Sequence, residues 1–326
     1  MNNSQDSKEY FGFIVKQAGI HTLIQDLGRF GYHAIGLTNG GPLDYQAFYW
    51  ANSLCQNPAN SSALEITLGG LELTAISATK IAVTGATVAL FINNQAKALW
   101  RSHTINSGDI IRLGFAKRGM RAYLAVVGGF QIPKSFGSSA TVCRESIGGL
   151  QGKALINNDF LPIKTLSAKV EVDFSLPEKY RPIYMNEVVL RTIVGYQYQH
   201  FSRLAQQLFF SSEFTVSEHC DRMGYRLAND NIKSHISADI DGVLSEGICH
   251  GAIQIPADGQ PIVLLNDRQT IGGYPKVGAV IALDTNKLAQ LGQGAKVYFE
   301  EISMEDAHNA NLLAQQQFKC TTLQTC

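Results

Sequence analysis

The sequence predicts a mainly β protein with a barrel or sandwich architecture and a few short helices. Short apolar runs separated by turn residues follow one another through residues 63–129, without the alternating strands and helices of a parallel sheet. The same rhythm returns after residue 187. A chain of 326 residues is long enough for two domains, each with its own core. We therefore expect two β subdomains of similar construction.

The first half begins with a strand, which the run FGFIVKQ predicts. Residues 19–44 are rich in glycine and polar side chains, so we expect a loop that lies on the surface or across a cleft. Apolar residues from Leu43 to Leu54 recur at helical spacing and predict one amphipathic helix. The strands predicted after this helix are ALEITL, LELTA, KIAVTG, TVALFI, DIIRLGF and RAYLAVVGG, with a turn at Asn93 and Asn94.

The second half follows a polar, proline-marked stretch at residues 173–186, which predicts a linker. The strands predicted beyond it are EVVLRTIV, EFTVSEHCDRMGYRL, GAIQIP, PIVLL, VGAVIAL and AKVYFEEI, with helices at residues 200–209 and 284–291. The predicted organisation is a disordered leader at residues 1–12, a first β-barrel subdomain at 13–180, a second at 187–302, and a polar tail at 303–326 that we expect to be frayed or disordered.

Composition excludes several classes of function. Lys+Arg 27 balances Asp+Glu 27, so the chain lacks the basic character typical of nucleic-acid binding. No run approaches the ~18 apolar residues that a membrane span needs, and the start of the chain does not resemble a secretion signal, so we expect a cytoplasmic protein. The six cysteines show no CxxC spacing, which indicates neither a zinc site nor a disulfide framework. The charged fraction of 17% suggests a surface that a partner covers or that lines a cleft.

Residues 245–276 contain the most informative local pattern. Two apolar strands lead into a polar loop that holds Asp267, Arg268, Gln269 and Tyr274 beside a pair of glycines. Glycines let the backbone approach a ligand, while strands fix polar groups in place. The pattern fits a binding site and a structural hairpin with a solvated tip equally well.

Other polar residues also stand among glycines. Gln25, Asp26 and Arg29 occupy the first loop, Asp44 precedes the first helix, and Arg222 follows Asp221. Arginines clamp carboxylates or phosphates, and aspartates can orient those arginines, accept a proton or hold a metal ion. Two structural alternatives remain open at this point: Asp44 as a helix cap, and Asp221 with Arg222 as an ion pair.

Self-contained enzyme signatures are absent from the sequence. It holds no GxGxxG, HExxH or GxSxG motif, and IGGLQGKA departs from a phosphate-binding loop at two positions. Cys249 and His250 are adjacent, but neighbouring side chains on a strand point to opposite faces and cannot form a nucleophile and base pair.

Several of these segments together resemble the biotin-dependent carboxyltransferase family, over residues 13–302. The matching runs, in order, are QDLGRFGY, TNGGPLD, ALEITLGG, AYLAVVGGF, CDRMGYRL and SEGICHGAIQIPADGQPIVLLNDRQTIGGYP. The family includes the C subunits of bacterial 5-oxoprolinase, KipA proteins and part of the carboxyltransferase domain of urea carboxylase. The resemblance implies two cyclophilin-like β-barrel subdomains.

The resemblance also implies an activity and partners. It indicates one subunit of an ATP-dependent 5-oxoprolinase, a hydrolase of a cyclic amide. Such a chain acts with the KipI-like B subunit and with the A subunit of the enzyme to open 5-oxoproline to L-glutamate. ATP, with or without Mg²⁺, would be shared with the partner chain. Biotin is not expected on this chain, since the sequence has no Met-Lys-Met type attachment site.

Two other functions remain as alternatives to 5-oxoproline hydrolysis. The first is carboxyl transfer in a biotin-dependent urea or amide carboxylase, with biotin carried by another polypeptide. The second is non-catalytic sequestration of a KipI-like regulator. All three functions require a partner protein, which agrees with the low charged fraction.

Two sets of residues are predicted for the site, and no metal ligands are among them. Catalytic roles are expected for Asp44, Arg222, Asp267 and Arg268, and substrate binding for Gln25, Asp26, Arg29, Gln254, Gln269 and Tyr274. The chain departs from the family pattern at Ser139, where an arginine is usual, and at Tyr196, where a proline is usual. Either the substrate differs or a neighbour such as Arg144 substitutes.

Overall fold

The computed structural model describes residues 11–164, 172–232, 235–239 and 243–326. Within these residues the protein is mainly β, as the sequence predicts. Residues 1–10 of the expected leader lie outside the described residues, and Gly12 already belongs to the first strand. None of the helices in the described part of the chain combines the length and the apolar composition that a membrane crossing requires.

The described residues of the first half form two antiparallel sheets and one α-helix. Its strands are β1 (Gly12–Ala18), β2 (His21–Gln25), β3 (Ala63–Thr67), β4 (Leu71–Ala75), β5 (Thr79–Thr87), β6 (Leu90–Ile92), β7 (Gln95–Lys97), β8 (Ser102–Ile105), β9 (Ile110–Leu113), β10 (Arg118–Val126) and β11 (Phe160–Pro162). The strand orders are β11-β1-β4-β9-β6-β7 and β2-β3-β10-β5-β8. Buried side chains of both sheets, such as Phe13, Ile66 and Leu124, form one core. Helix α1 (Tyr45–Leu54) packs on the outer face of the second sheet.

The second half is a closed barrel. Strand β12 (Phe174–Ser175) ends the first half. The elements of the second half are β13 (Glu187–Val194), α2 (Arg203–Ser211), β14 (Phe214–Cys220), β15 (Gly224–Ala228), β16 (Glu246–Gly247), β17 (Ala252–Gln254), β18 (Ile262–Leu264), β19 (Ile271–Gly272), β20 (Lys276–Val280), α3 (Ala282–Leu288) and β21 (Lys296–Glu301). The barrel order is β13-β20-β17-β18-β15-β14-β21. The strand pair β13–β21 is parallel, and a separate core of residues such as Phe214, Tyr225 and Val297 fills the interior.

Most predicted elements of secondary structure are confirmed. Helix α1 begins after Asp44, whose carboxylate accepts a hydrogen bond from the backbone N–H of Ala47 at 3.0 Å. Asn93 and Asn94 have φ angles of 50° and 64° and form the turn between β6 and β7. Asparagine tolerates this left-handed region, which two-residue hairpin turns require.

The expectation that residues 19–44 are entirely loop is wrong in its first part. Strand β2 occupies His21–Gln25 and pairs with β3, and Leu23 and Ile24 are buried. The glycine content of the whole span obscured a short apolar run between Gly19 and Gly28. The remainder is irregular chain with one short 3₁₀ turn at His33–Ile35.

The expectation of a frayed or disordered tail after Ser303 is also wrong. Helix α4 (Met304–Cys320) begins at Ser303, whose hydroxyl accepts from the N–H of Asp306 at 3.0 Å. Strand β22 (Gln324–Thr325) then pairs with β12. The polar, glutamine-rich composition is that of a surface helix with a narrow inward face, on which Ala307 is buried.

Candidate functional site

A cleft of about 590 Å³ lies between the two halves and beneath helix α4. The first half contributes the irregular chain after β2 and the start of α1, and the second half contributes the loop after β18 and the start of α3. The polar groups that line it include Asn39, His250, Asn266 and Arg268. Since three separate parts of the chain meet here, the cleft exists only in the assembled fold.

Arg268 is the member of the predicted site that lines the cleft. Its side chain is fixed by hydrogen bonds from Nε to the carbonyl of Ile248 at 3.1 Å and from Nη1 to the carbonyl of Leu265 at 3.2 Å. It forms no ion pair with a carboxylate among the described residues, and burial lowers its pKa because a dry environment disfavours charge. A positioned guanidinium without a counter-ion favours binding of a carboxylate or phosphate.

Amide and imidazole groups surround Arg268. Asn266 Nδ2 donates to the carbonyls of Gly40 and Pro42, at 3.1 and 3.0 Å, and so joins the two halves at the wall of the cleft. Burial and the neighbouring Arg268 lower the pKa of His250 to about 4, so its ring is neutral near pH 7. A neutral imidazole can donate or accept a hydrogen bond, according to its tautomer.

Arg222 and Asp267 form a buried ion pair behind this wall. Arg222 Nε and Nη2 donate to the two carboxylate oxygens of Asp267 at 2.8 and 2.9 Å, and Nη1 donates to Glu65 at 2.5 Å. Burial opposes the charge of Arg222, but the two carboxylates raise its pKa overall. Burial likewise raises the pKa of Asp267, against the effect of Arg222. Because β3 carries Glu65 and the second half carries the other two residues, the network joins the halves.

Glu65 extends this network towards Asp44. Its second oxygen accepts from the hydroxyl of Tyr123 at 2.7 Å and from the N–H of Leu43 at 2.9 Å. Although burial opposes ionisation, the nearby arginines lower the pKa of Glu65. Asp44 accepts from Tyr184 and from Gln290, both at 2.8 Å, besides capping α1. Asp44 therefore acts as a cap and a link between segments, and it does not line the cleft.

Arg29 is almost fully buried directly behind the cleft wall. Its Nη2 donates to the carbonyl of Ala140 at 2.5 Å, while Nε and Nη1 have no hydrogen-bond partner among the described residues. A Cβ atom added at Gly40, which lines the cleft, would lie 3.4 Å from Nη1. Burial lowers the pKa of Arg29, against the charge of Asp26. A thin glycine wall thus separates a second guanidinium from the cleft.

Gln25 and Asp26 hold neighbouring loops. Gln25 donates from Nε2 to the carbonyl of Thr141 at 2.9 Å and accepts from the N–H of Gly41 at 3.0 Å. Asp26 accepts from the N–H of Ser139 at 2.8 Å. Ser139 stands where the family usually has an arginine, and its hydrogen bond to Asp26 holds its own loop against the loop after β2. Arg144 pairs with its neighbour in the chain and does not line the cleft.

The remaining predicted residues lie elsewhere in the second half. Gln254 is buried with Nε2 unpartnered among the described residues, and Gln269 and Tyr274 are exposed on the polar loop. Tyr196 lines a separate cavity of about 390 Å³. Cys249 lines that second cavity, whereas the adjacent imidazole lines the cleft, which agrees with the exclusion of a nucleophile and base pair.

Sequence reasoning missed Glu65, Tyr123, Asn39 and Asn266. One signal was present for Glu65, since it is a carboxylate within the apolar strand ALEIT, and a charge at such a position requires a buried partner. The two asparagines carry no signal in the sequence, because their roles depend on the meeting of the two halves.

Comparisons with known proteins give the family. Residues 35–301 match the family described as carboxyltransferase domain, subdomain A and B. The chain is similar to the C subunit of 5-oxoprolinase from Escherichia coli, with 36% identity over 304 residues, or 93% of this chain and 95% of that protein. It is 35% identical over 288 residues to the C subunit of 5-oxoprolinase from Haemophilus influenzae, or 87% of this chain and 89% of that protein.

A solved structure gives the same result for the fold. The crystal structure of the Kluyveromyces lactis urea carboxylase matches with a TM-score of 0.88 and 26% identity, over 98% of this chain and 30% of that much longer chain. The strand order and these matches agree, and the chain belongs to the carboxyltransferase-domain family, subdomains A and B.

Proposed function

We propose that this chain is the C subunit of a cytoplasmic, ATP-dependent 5-oxoprolinase, and that it acts with the A and B subunits to open 5-oxoproline to L-glutamate. The main support is the similarity to two bacterial proteins that are named as this subunit of 5-oxoprolinase, which covers most of both chains. The cleft adds a chemical reason. 5-Oxoproline is a cyclic amide with a carboxylate, and Arg268 offers the cleft a positioned cation without a counter-ion.

In this proposal the side chains of the cleft bind and orient the lactam. Arg268 binds its carboxylate, and the neutral ring of His250 is available to hydrogen bond to its amide group. Arg222 joins the halves through its hydrogen bond to Glu65, and Arg268 Nη2 donates to Asn39 Oδ1 of the first half at 3.5 Å.

ATP would activate the lactam by transfer of its terminal phosphoryl group to the amide oxygen, with ADP as the leaving group, and phosphate would leave when water opens the ring. Among the described residues two cations line the cleft, Arg268 and Lys319, and they suit the negative charge of a nucleotide. In this proposal the B subunit supplies the other half of the site. We therefore place the nucleotide between this chain and the B subunit.

Glutamate release by the reconstituted complex tests the proposal. Wild-type chain mixed with the A and B subunits, ATP and 5-oxoproline should release glutamate only when all components are present. Arg268→Gln should lower kcat/KM on the order of tenfold to hundredfold, because it removes a hydrogen bond to a charged group. Arg226→Gln is the matched control, since Arg226 forms an exposed ion pair with Asp258. Absence of partner-dependent glutamate release would contradict the proposal.

The similarity to urea carboxylase favours carboxyl transfer as the second candidate. That reaction needs carboxybiotin from another polypeptide, so it predicts dependence of turnover on a biotin-carrying protein. The same variant also tests simple sequestration of a KipI-like regulator. If Arg268→Gln abolishes turnover while the complex stays intact, sequestration alone does not explain the protein.

A further inference from the structure

Helix α4 follows residues 35–301, the range that matches the family description. The match ends at residue 301, and α4 begins at Met304. The helix leaves the barrel after β21 and returns to the first half, where β22 pairs with β12 and the N–H of Cys326 donates to the carbonyl of Asp173 at 2.9 Å. Both ends of the segment are therefore attached, one to each half of the molecule.

The inward face of α4 leaves space beneath the helix. Ala307, Ala310, Ala314 and Phe318 recur at spacings of three and four and are less exposed than their neighbours. The small alanine side chains do not fill the gap between the helix and the two halves, and Asn311, Ala314 and Gln315 line the cleft there. The helix is thus one wall of the cleft.

Phe318 and Lys319 give this wall its chemistry. The ring of Phe318 lies 5.0 Å from that of Tyr49 and 6.0 Å from that of Tyr45, measured between centroids, and all three residues line the cleft. Lys319 lines it as well and forms no ion pair among the described residues. An aromatic wall in a cleft that the cations Arg268 and Lys319 also line favours a ligand that combines a flat ring with negative charge.

We propose that α4 belongs to the ligand site and that Phe318 and Lys319 select a small anion that carries a ring. The helix therefore contributes two specificity residues to the cleft. The inference rests on the proposed function and deepens it, since it concerns the same cleft. A lactam carboxylate and a nucleotide share the required chemistry, so the experiment uses each of them separately.

Calorimetric titration of the purified full chain with 5-oxoproline and with ATP tests the inference without partner subunits. Saturable binding of at least one compound is expected. Lys319→Gln should weaken that binding about threefold to fivefold, more at low salt, because Lys319 is exposed to solvent. Lys319→Arg should restore it to within about twofold, since the charge remains. Lys117→Gln, at an exposed position of the first half away from the cleft, should leave it unchanged.

Phe318→Leu tests the aromatic wall. It should weaken binding about threefold or more while keeping an apolar contact with α1. Hydrogen exchange of residues 304–320 shows whether the helix stays docked, and Lys319→Gln remains a test if Phe318→Leu loosens it. Wild-type affinity in Lys319→Gln, or no saturable binding of either compound, overturns the inference. Binding that depends on Lys319, without glutamate release by the complex, contradicts the proposed function and leaves the inference standing.

Discussion

Arg222 connects the two halves through three acceptors at once. Its guanidinium binds Asp267 from the same half, Glu65 from β3 and the carbonyl of Gly41 at 2.8 Å. The residue is 7% exposed. Buried ion pairs add little net stability, but the loss of one member leaves uncompensated charge in a dry environment. The role of this arginine is therefore to hold Glu65 and Asp267 in place.

Arg222→Met should lower the free energy of unfolding by about 3–5 kcal/mol, because two buried carboxylates lose their cation. Chemical denaturation of both proteins at neutral pH measures the difference. Arg226→Met removes an arginine whose side chain is 38% exposed, and it should cost less than about 1 kcal/mol. Equal losses in the two variants would mean that the buried network does not stabilise the fold.

His250 should make stability sensitive to moderate acid. Burial lowers its pKa in the folded protein from 6.5 to about 4. Between these values the unfolded chain binds a proton that the folded protein does not, so stability is full above pH 6.5 and falls as the pH approaches 4. We expect a loss of about 2 kcal/mol at roughly pH 4.5 from this residue.

Denaturation of wild type and His250→Gln between neutral pH and that acid range isolates this contribution, since other groups titrate in both proteins. His250→Gln should show the smaller loss. His219→Gln, at an exposed histidine, should follow the wild type. If wild type and His250→Gln lose stability in parallel, the ring is not held neutral by burial.

At the level of elements, local patterns predicted most strands and helices because their signals lie within a few residues. Alternation in LELTA and the helical spacing around Trp50 need no knowledge of the rest of the chain. Strand β2 and helix α4 were missed because their composition was averaged with that of their neighbours. Helix α4 also gains its stability from elsewhere, since Phe318 packs on aromatic residues of α1.

The candidate site was predictable only in part, because a local pattern identifies polar residues but not the direction in which they face. A loop rich in glycine and polar residues indicated Arg268, but Arg222 and Asp267 from the same pattern face the interior and not the cleft. Residue type cannot distinguish these outcomes, because an arginine that clamps a ligand and one that pairs with buried carboxylates have the same chemistry. The two roles can be distinguished only in the folded protein, where β3 contacts the loop after β18 and Glu65 pairs with Arg222.

On the scale of the whole molecule, Gln290 is a further connection between the halves. Its Oε1 accepts from the N–H groups of Met120 and Arg121, at 2.8 and 2.9 Å. Its Nε2 donates to Asp44 at 2.8 Å and to the carbonyl of Arg121 at 2.9 Å. One buried amide after α3 therefore satisfies four groups of the first half. Each half has its own apolar core, so we expect these polar contacts, with those of Arg222, to couple the unfolding of the two halves.

Gln290→Leu should lower the free energy of unfolding by about 2–4 kcal/mol and separate the unfolding of the two halves. Buried N–H groups lose their acceptor, while each core stays intact. Both tryptophans, Trp50 and Trp100, lie in the first half, so their fluorescence reports its unfolding. Hydrogen exchange of the backbone amides in β13, β20 and β21 reports the unfolding of the second half.

The wild type should unfold with both probes in agreement, and Gln290→Leu should shift them apart. Gln260→Leu is the control, because Gln260 is also buried but accepts from the N–H of Asn229 within its own half, at 2.9 Å. This control should lose stability without a difference between the probes, since the contacts between the halves remain. Coinciding transitions in Gln290→Leu would show that the remaining contacts between the halves, such as those of Arg222, Asn266 and Arg121, suffice to couple them, and that Gln290 contributes only to local stability.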